Sequence, residues 1–165
     1  MSATIEEVRI VTREIVEDIT RVHEQCFVET LGWNRSFLSD VANYLNDFAE
    51  LVGSSRSALW VSRVNGRVVG SVAVDSRDFG PSIARLRLFA VEPMHHRRGI
   101  GGRLLRQSLE FCDAAGYSEV MLWTFDTLSG AKSLYLSIGF EVLAERNVEY
   151  WGFSLREQLC RLRLH

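Results

Sequence analysis

The run Arg97-Arg98-Gly99-Ile100-Gly101-Gly102 follows a strand-like stretch, Arg85–Val91, and opens an amphipathic helix. A glycine inside a helix costs about 1 kcal/mol against alanine, so a cluster of glycines here needs a physical reason. Glycine lets the backbone approach a ligand closely, and the first N–H groups of a helix have no acceptor within the helix. With the helix dipole and the two arginines, these donors predict a site for a pyrophosphate-like anion.

The two familiar nucleotide-binding loops do not fit this run. A Walker loop requires Gly-x-x-x-x-Gly-Lys-Ser/Thr, which the chain lacks. The dinucleotide fingerprint requires a glycine three residues after Gly101, and that position is Leu104. Two alternatives remain: a pyrophosphate ligand of another kind, or a glycine-rich turn that only begins a helix.

The segment His96-Arg97-Arg98-Gly99-Ile100-Gly101 resembles the signature of the GNAT acyltransferases, Gln/Arg-x-x-Gly-x-Gly/Ala, which holds the pyrophosphate of coenzyme A. The glycines and Arg98 match, whereas His96 stands where the family has Gln or Arg. A second stretch, Ala131–Phe140, resembles the late helix of the family and the strand that follows it. Tyr135 matches the tyrosine that recurs there.

The resemblance covers nearly the whole chain in the order of its elements. Leu128 departs from it, because an Asn is frequent at that position in the family. From Arg85 onward, the chain looks like the acyltransferase half of regulators that fuse a DNA-binding domain to a GNAT domain.

The resemblance implies an N-acetyltransferase that uses acetyl-CoA. Two strands, Ala84–Val91 and Glu119–Thr124, are expected to splay apart so that the pantetheine arm lies between them. Backbone N–H groups near Phe89–Val91 would stabilise the thioester oxygen, and Tyr135 would be the general acid. The residues expected to bind the cofactor are Phe89, Ala90, Val91, His96, Arg97, Arg98, Gly99, Ile100, Gly101, Gly102 and Arg103.

Acyl transfer to an amine also requires that an ammonium lose a proton. An amine with a pKa of about 10.4 costs about 4.6 kcal/mol to deprotonate at pH 7, which a positioned base would offset. Glu92, at the end of the cofactor strand, is the first candidate for this base. Asp75, Glu24, Glu149 and ordered water remain alternatives.

Aromatic residues are candidates for the wall of the acceptor site. Trp33 lies in a short loop, where a large ring indicates a binding role, and Phe37 follows on the next helix. Tyr150 belongs to the last hairpin, a region that often borders the acceptor site in the family. We expect these three residues to contact a small-molecule or peptide amine. The sequence does not identify the amine.

Composition limits the other possibilities. A length of 165 residues suits one domain spanning 1–165, and a net charge of −2 gives no electrostatic case for nucleic acid. No apolar run is long enough to span a bilayer. The three cysteines, odd in number and far apart, indicate reduced thiols and a cytoplasmic protein. His95 and His96 have no partners at metal-ligand spacing, so we expect no metal site.

The hydrophobic pattern predicts an α/β (α+β) fold, with a central mixed, twisted sheet of about seven strands and helices on both faces. Its long final strand offers an edge for a homodimer. Predicted helices span Thr12–Phe27, Ser36–Val52, Gly101–Ala115 and Ser129–Ile138. Predicted strands span Val8–Val11, Ser57–Val64, Arg67–Asp75, Ala84–Val91, Glu119–Thr124, Phe140–Arg146 and Ser154–Leu164.

Two other functions fit the same sequence. One is a module that binds acyl-CoA or a small effector without turnover. The other is an O-acyltransferase that acts on a hydroxyl group, because its cofactor half would look the same.

Overall fold

The structure, a computed structural model, describes residues 2–164. One mixed seven-stranded sheet has the order β1-β2-β3-β4-β5-β7-β6, in which only β4 and β5 run parallel. The strands are β1 (Thr4–Glu7), β2 (Ala58–Val64), β3 (Arg67–Asp75), β4 (Ile83–Val91), β5 (Glu119–Phe125), β6 (Glu141–Tyr150) and β7 (Phe153–Arg163). The α-helices are α1 (Arg13–His23), α2 (Ser36–Phe48), α3 (Ile100–Ala114) and α4 (Ser129–Ile138).

The helices cover both faces of the sheet, as predicted. Leu104 on α3 and Tyr135 on α4 belong to one buried apolar cluster, together with Trp60 of β2. Ile19 on α1 and Leu45 on α2 belong to a second cluster on the opposite face. Successive side chains of a strand point to opposite faces, so the sheet separates these two cores. The predicted α/β architecture is confirmed.

The residues of the turns and helix ends predicted the bounds of several elements correctly. Asn65 and Gly66 have φ values of 53° and 78°, as a two-residue turn between β2 and β3 requires. Trp151 and Gly152, with φ values of 51° and 85°, join β6 to β7 in the same way. Gly139 ends α4 at a φ of 118°, so that helix has the predicted bounds, Ser129–Ile138.

The N-terminal region differs from the prediction in three places. The first strand is Thr4–Glu7 rather than Val8–Val11, because a polar edge strand pairs with β2 and only Val8 of the apolar run is buried deeply. The first helix begins after its cap, Thr12, but changes to a π-helical segment over Glu24–Glu29. The second helix ends at Phe48, four residues earlier than the prediction of Ser36–Val52.

Strand β4 contains a β-bulge that breaks its predicted alternation. Ala73 of β3 pairs with Arg87 and Ser71 pairs with Ala90, so β4 holds one extra residue. Leu88 has a φ of 52° at this point. Leu86 therefore packs in the α3 core, whereas Leu88 and Ala90 face the α1 and α2 core. The three residues do not share one face, as the alternation had predicted.

Strands β4 and β5 separate after a short contact. Their pairing runs only from Ile83↔Glu119 to Arg85↔Met121, although β4 continues to Val91 and β5 to Phe125. The unpaired ends leave a split in the middle of the sheet. The separation that the resemblance implied is confirmed.

Candidate active site

A cavity of about 800 Å³ occupies the split between β4 and β5. Its walls are the unpaired ends of these strands, at Leu86–Val91 and Leu122–Phe125. The start of α3 and part of α4 border it on one face of the sheet. The end of α1, the π-helical segment and the start of α2 border it on the other face. The cavity therefore passes through the sheet.

The N-terminus of α3 presents free backbone donors to this cavity. The first intrahelical bond runs from the N–H of Arg103 to the carbonyl of Gly99, at 3.1 Å. The N–H groups of Ile100, Gly101 and Gly102 precede that bond and have no acceptor within the helix. Gly99, at a φ of 78°, supplies no side-chain cap. These donors and the helix dipole form a site for an anion.

Glycine at position 101 also allows α3 to approach β4 closely. A Cβ added there would meet Cζ of Phe89 at 3.3 Å, tighter than an ordinary contact. The ring of Phe89 would have to move to accommodate an alanine. Part of the glycine cluster therefore serves packing, beside its role at the helix start.

Most of the predicted cofactor residues line the cavity, but two arginines do not. Arg98 is exposed outside it. Arg103 points away and donates from Nη1 to the carbonyl of Ala3 at 2.8 Å. The residues that do line the cavity are Phe89, Ala90, Val91, His96, Arg97, Gly99, Ile100, Gly101 and Gly102.

Backbone donors of β4 also face the split. The N–H of Glu92 donates to the carbonyl of Val69 on β3, at 2.8 Å. Because neighbouring residues of a strand direct their N–H groups to opposite edges, the N–H of Val91 points toward β5. The carbonyl of Val91 already accepts hydrogen bonds from the Cys26 thiol at 3.1 Å and from Nε2 of His96 at 2.6 Å. His96 thus ties its loop to the end of β4.

Tyr135 reaches the cavity from α4. Its ring packs between Phe89 and Phe140, with both centroid distances at 5.7 Å. Within residues 2–164 its hydroxyl makes no hydrogen bond to the protein. Burial raises the pKa of Tyr135 above its ordinary value, so the hydroxyl keeps its proton at neutral pH.

Glu92 is buried but is not part of the cavity wall. Its carboxylate accepts a hydrogen bond from Nη2 of Arg67 at 2.9 Å and lies 3.8 Å from Nε of Arg21. Nδ1 of His95 lies 3.5 Å from the other oxygen. The arrangement is an ion-pair cluster beside the end of β4.

The other candidate bases are engaged elsewhere. Asp75 is fully buried and accepts hydrogen bonds from the Tyr44 hydroxyl at 2.7 Å and from Nε of Arg87 at 2.9 Å. Glu24 pairs with Arg35 at 2.5 Å, and Glu149 accepts a bond from Ser154. In the described part of the chain, no aspartate or glutamate lines the cavity.

Five aromatic rings form a continuous surface at the α1 and α2 side of the cavity, which we call the aromatic wall. The rings of Phe27 and Trp151 stack on Trp33 at 4.9 and 4.7 Å, and Phe37 and Phe125 meet it edgewise at 5.2 and 5.5 Å. Members of the wall are Phe27, Trp33, Phe37, Phe125 and Trp151, all of which line the cavity.

Two of the three predicted acceptor residues belong to the wall, and the third does not. Trp33 and Phe37 line the cavity, whereas Tyr150 packs behind the wall against Trp151 and Phe125. Trp151 is anchored from outside, because its Nε1 donates to Asp40 at 2.9 Å.

The sequence did not single out His23 and Cys26, which line the cavity from α1 and the segment after it. Burial lowers the pKa of His23 to about 4, and its Nδ1 lies 2.8 Å from the carbonyl of Ile19. Burial raises the pKa of the Cys26 thiol to about 12, so it is not a nucleophile at neutral pH. His23 and Phe27 are four residues apart and therefore share one helix face. This spacing was the sequence signal that could have indicated His23 as a residue of the site.

Residues 2–164 contain neither a metal site nor a membrane-spanning helix. No group of three His, Cys, Asp or Glu side chains there is arranged to hold a metal ion. Within the same residues, no helix has the length and apolar character needed to cross a bilayer.

Comparison with known sequences identifies relatives of this chain. Residues 16–140 match the model of the acetyltransferase (GNAT) family. N-acetyltransferase 8 of Mus musculus is 33% identical over 114 residues, covering 67% of this chain and 49% of that protein. N-acetylaspartate synthetase of Danio rerio is 32% identical over 120 residues, covering 66% and 42%. The chain thus spans about half the length of the relatives it matches.

Solved structures share the fold along the whole chain. An N-acetyltransferase from Staphylococcus aureus Mu50 has a TM-score of 0.80 at 14% identity and covers 100% of both chains. Salmonella typhimurium yncA, solved with its cofactor acetyl-CoA, has a TM-score of 0.78 at 19% identity and covers 100% of this chain and 95% of that one. The family match, the split sheet and the glycine-rich start of α3 agree, and the chain belongs to the GNAT acetyltransferase family.

Proposed function

We propose that the chain is an acetyl-CoA-dependent N-acetyltransferase, in which an amine attacks the thioester directly within a ternary complex. The observation that carries this proposal is the convergence of three features on one cavity. These are the free N–H groups at the start of α3, the unpaired end of β4 and the hydroxyl of Tyr135. Membership of the GNAT family supports it, and we take residues 1–165 as one domain.

The cofactor roles follow from the positions of the donors. The N–H groups of Ile100, Gly101 and Gly102 would bind the pyrophosphate, with Arg97 adding positive charge at the same loop. The unpaired backbone of Phe89–Val91 would hydrogen-bond the pantetheine arm as an added strand and donate to the thioester oxygen. Arg98 and Arg103 have no cofactor contact in this assignment, because neither lines the cavity.

Tyr135 would act as the general acid that protonates the departing thiolate. Its raised pKa keeps the proton on the oxygen, and because its hydroxyl has no acceptor among residues 2–164, that proton would be available to the sulfur. A thiol has a pKa of about 8.5, so the assistance is modest rather than essential.

We assign deprotonation of the amine to water in the cavity. Glu92 stays a prediction of the sequence, and its pairing with Arg67 and Arg21 does not support it. The acceptor would enter at the aromatic wall, on the face of the sheet opposite α3, and Trp33 and Phe37 would border it.

The free thiols of Cys26, Cys112 and Cys160 fit a cytoplasmic protein. The sequence predicted that the long final strand would be the edge for a homodimer, but that strand, β7, lies between β5 and β6 and is not an edge. β6, at the end of the sheet, would be the edge instead.

Release of CoA from acetyl-CoA, measured with matched amine and alcohol acceptors, tests this function. Phenethylamine and phenethyl alcohol share one carbon skeleton, so a difference between them reports the reacting atom. We expect CoA release with the amine alone. Equal release with the alcohol would identify an O-acyltransferase, and tight acetyl-CoA binding without release across a broad amine panel would identify a binding module.

A further inference from the structure

The acceptor end of the cavity contains no side chain that could balance a second positive charge. This end is lined by residues of α1, the π-helical segment and α2, together with the turn after β6. No acidic side chain lines the cavity anywhere in residues 2–164. An ammonium group moved from water into such surroundings loses hydration without gaining a partner, which is costly.

The charged side chain that does border this end is a cation. Arg87 lines the cavity next to the bulge in β4, and its side chain is 19% exposed. Asp75 and Asp78 bind its guanidinium and are not part of the lining. His23 adds no charge of either sign, because its buried imidazole is neutral at pH 7. A second ammonium would therefore meet no carboxylate among the described residues that line this end of the cavity.

Cation–π contacts do not replace the missing carboxylate. A cation binds the face of an aromatic ring, whereas the edge carries positive partial charge. Trp33 is 4% exposed, and Phe27 and Trp151 both lie nearly parallel to it, at interplanar angles of 18° and 22°. These two rings make no ring contact with each other among the described residues, so they cover opposite faces of the indole. The indole at the centre of the wall therefore offers no open face to a cation.

We infer that the acceptor is a monoamine with an apolar or aromatic body, and that diamines and polyamines are poor acceptors. The inference rests on the proposed function and specifies its substrate class. The body of the amine would contact the aromatic wall with Leu31, Val41 and Leu88, which also line the cavity. Burial of that apolar surface would supply the binding energy.

A pair of acceptors that differ in one charge tests the inference. Hexylamine and hexamethylenediamine have the same carbon chain, and the second carries an additional terminal ammonium. We expect kcat/KM for the diamine to be at least about tenfold lower than for hexylamine at fixed pH and saturating acetyl-CoA. Phenethylamine is expected to be acetylated at least as well as hexylamine. Equal or better use of the diamine would overturn the inference.

A substitution that supplies the missing charge gives a second test. Leu31 is half-buried in the loop before Trp33 and lines the cavity. Leu31→Asp should raise kcat/KM for hexamethylenediamine relative to hexylamine, whereas Leu31→Asn, equal in size but uncharged, should not. An unchanged ratio in a folded Leu31→Asp variant would contradict the inference.

The test separates this inference from the proposed function. Binding of acetyl-CoA is measured by calorimetry on the same preparation before any acceptor is added. If acetyl-CoA does not bind, the proposed function fails. If it binds and the diamine is preferred, or only polar amines are acetylated, the substrate class is wrong and the proposed function stands. If it binds and no amine of any kind is acetylated, the proposed function fails.

Discussion

Tyr135 shows how the surroundings of a single residue determine its chemistry. The resemblance to the GNAT family was sufficient to select it, because Ala131, Tyr135 and the Gly139-Phe140 pair match residues that recur in the late helix and strand of the family. The structure adds that its ring packs against Phe89, a residue of the proposed pantetheine strand. In the proposed function, the hydroxyl would donate its proton to the thioester sulfur.

We expect Tyr135→Phe to lower kcat several-fold or more and to leave acetyl-CoA affinity unchanged, because it removes only a proton donor. Steady-state kinetics and calorimetry measure the two effects. Tyr117→Phe is the matched control: its hydroxyl donates to the carbonyl of Arg56 at 2.6 Å, outside the cavity. It should cost about 1 kcal/mol of stability and spare kcat. An unchanged kcat in Tyr135→Phe would exclude the acid role.

Glu92 illustrates what a sequence does not reveal about one residue. Its place at the end of the cofactor strand suggested a base, but its environment depends on Arg21 and Arg67, far away in the chain. Such pairings arise from the sheet and helix packing and have no local signal.

We expect Glu92→Gln to lower the free energy of unfolding by about 1–3 kcal/mol, because the buried side chain loses the charge that pairs with Arg67 and Arg21. The shape of the pH–rate profile should stay that of the wild type. Chemical denaturation and kcat measured across pH would check both expectations. Loss of the rising limb of the profile, with kcat down by about 100-fold or more, would instead show that Glu92 is the base.

His23 should make stability depend on pH. Its pKa is lowered to about 4 by burial, below the ordinary value of 6.5, so the unfolded chain binds more protons between these values. The free energy of unfolding should therefore fall as pH decreases through this range, by about 2 kcal/mol between pH 7 and pH 5. Urea denaturation measures it. In His23→Gln that contribution should disappear, and an undiminished pH dependence would contradict this account.

At the scale of elements, regular patterns were predictable and irregular ones were not. The Asn65-Gly66 hairpin and helix α4 followed from turn and cap residues. The bulge at Leu88 could not be predicted, because it is a register shift between β3 and β4 and no residue type in β4 indicates it. The first strand was missed because Thr4–Glu7 owes its conformation to pairing with β2 rather than to its own polar sequence.

The start of α3 permits a controlled test of the anion site. Gly99 and Gly66 both have a φ of 78°, and an added Cβ would meet no atom within 4 Å at either position. Alanine at each should cost about 1–2 kcal/mol of stability, because L-residues are strained there. Only Gly99→Ala should also weaken acetyl-CoA binding, by about tenfold, since strain there displaces the N–H donors. Equal affinities in both variants would argue against the site.

At the scale of the molecule, the sequence predicted the order of the elements, and that order places the split at the centre of the sheet. The aromatic wall was only partly predictable. Its five rings come from the π-helical segment, the loop before α2, α2 itself, β5 and the β6–β7 turn, so their convergence depends on the complete fold. Trp33 and Phe37 were predicted to border the acceptor site, and both line the cavity. Tyr150 was predicted there too, but its neighbour Trp151 lines the cavity instead.

The central claim is that the cavity between β4 and β5 binds acetyl-CoA, and a thermal melt with and without acetyl-CoA tests it most directly. At about a hundredfold excess over Kd, binding stabilises the folded state by about 2.7 kcal/mol. For a domain of this size, Tm should rise by about 5–10 °C. NAD and ATP, at the same concentration, should leave Tm unchanged. No shift with acetyl-CoA, or an equal shift with ATP, would contradict the account.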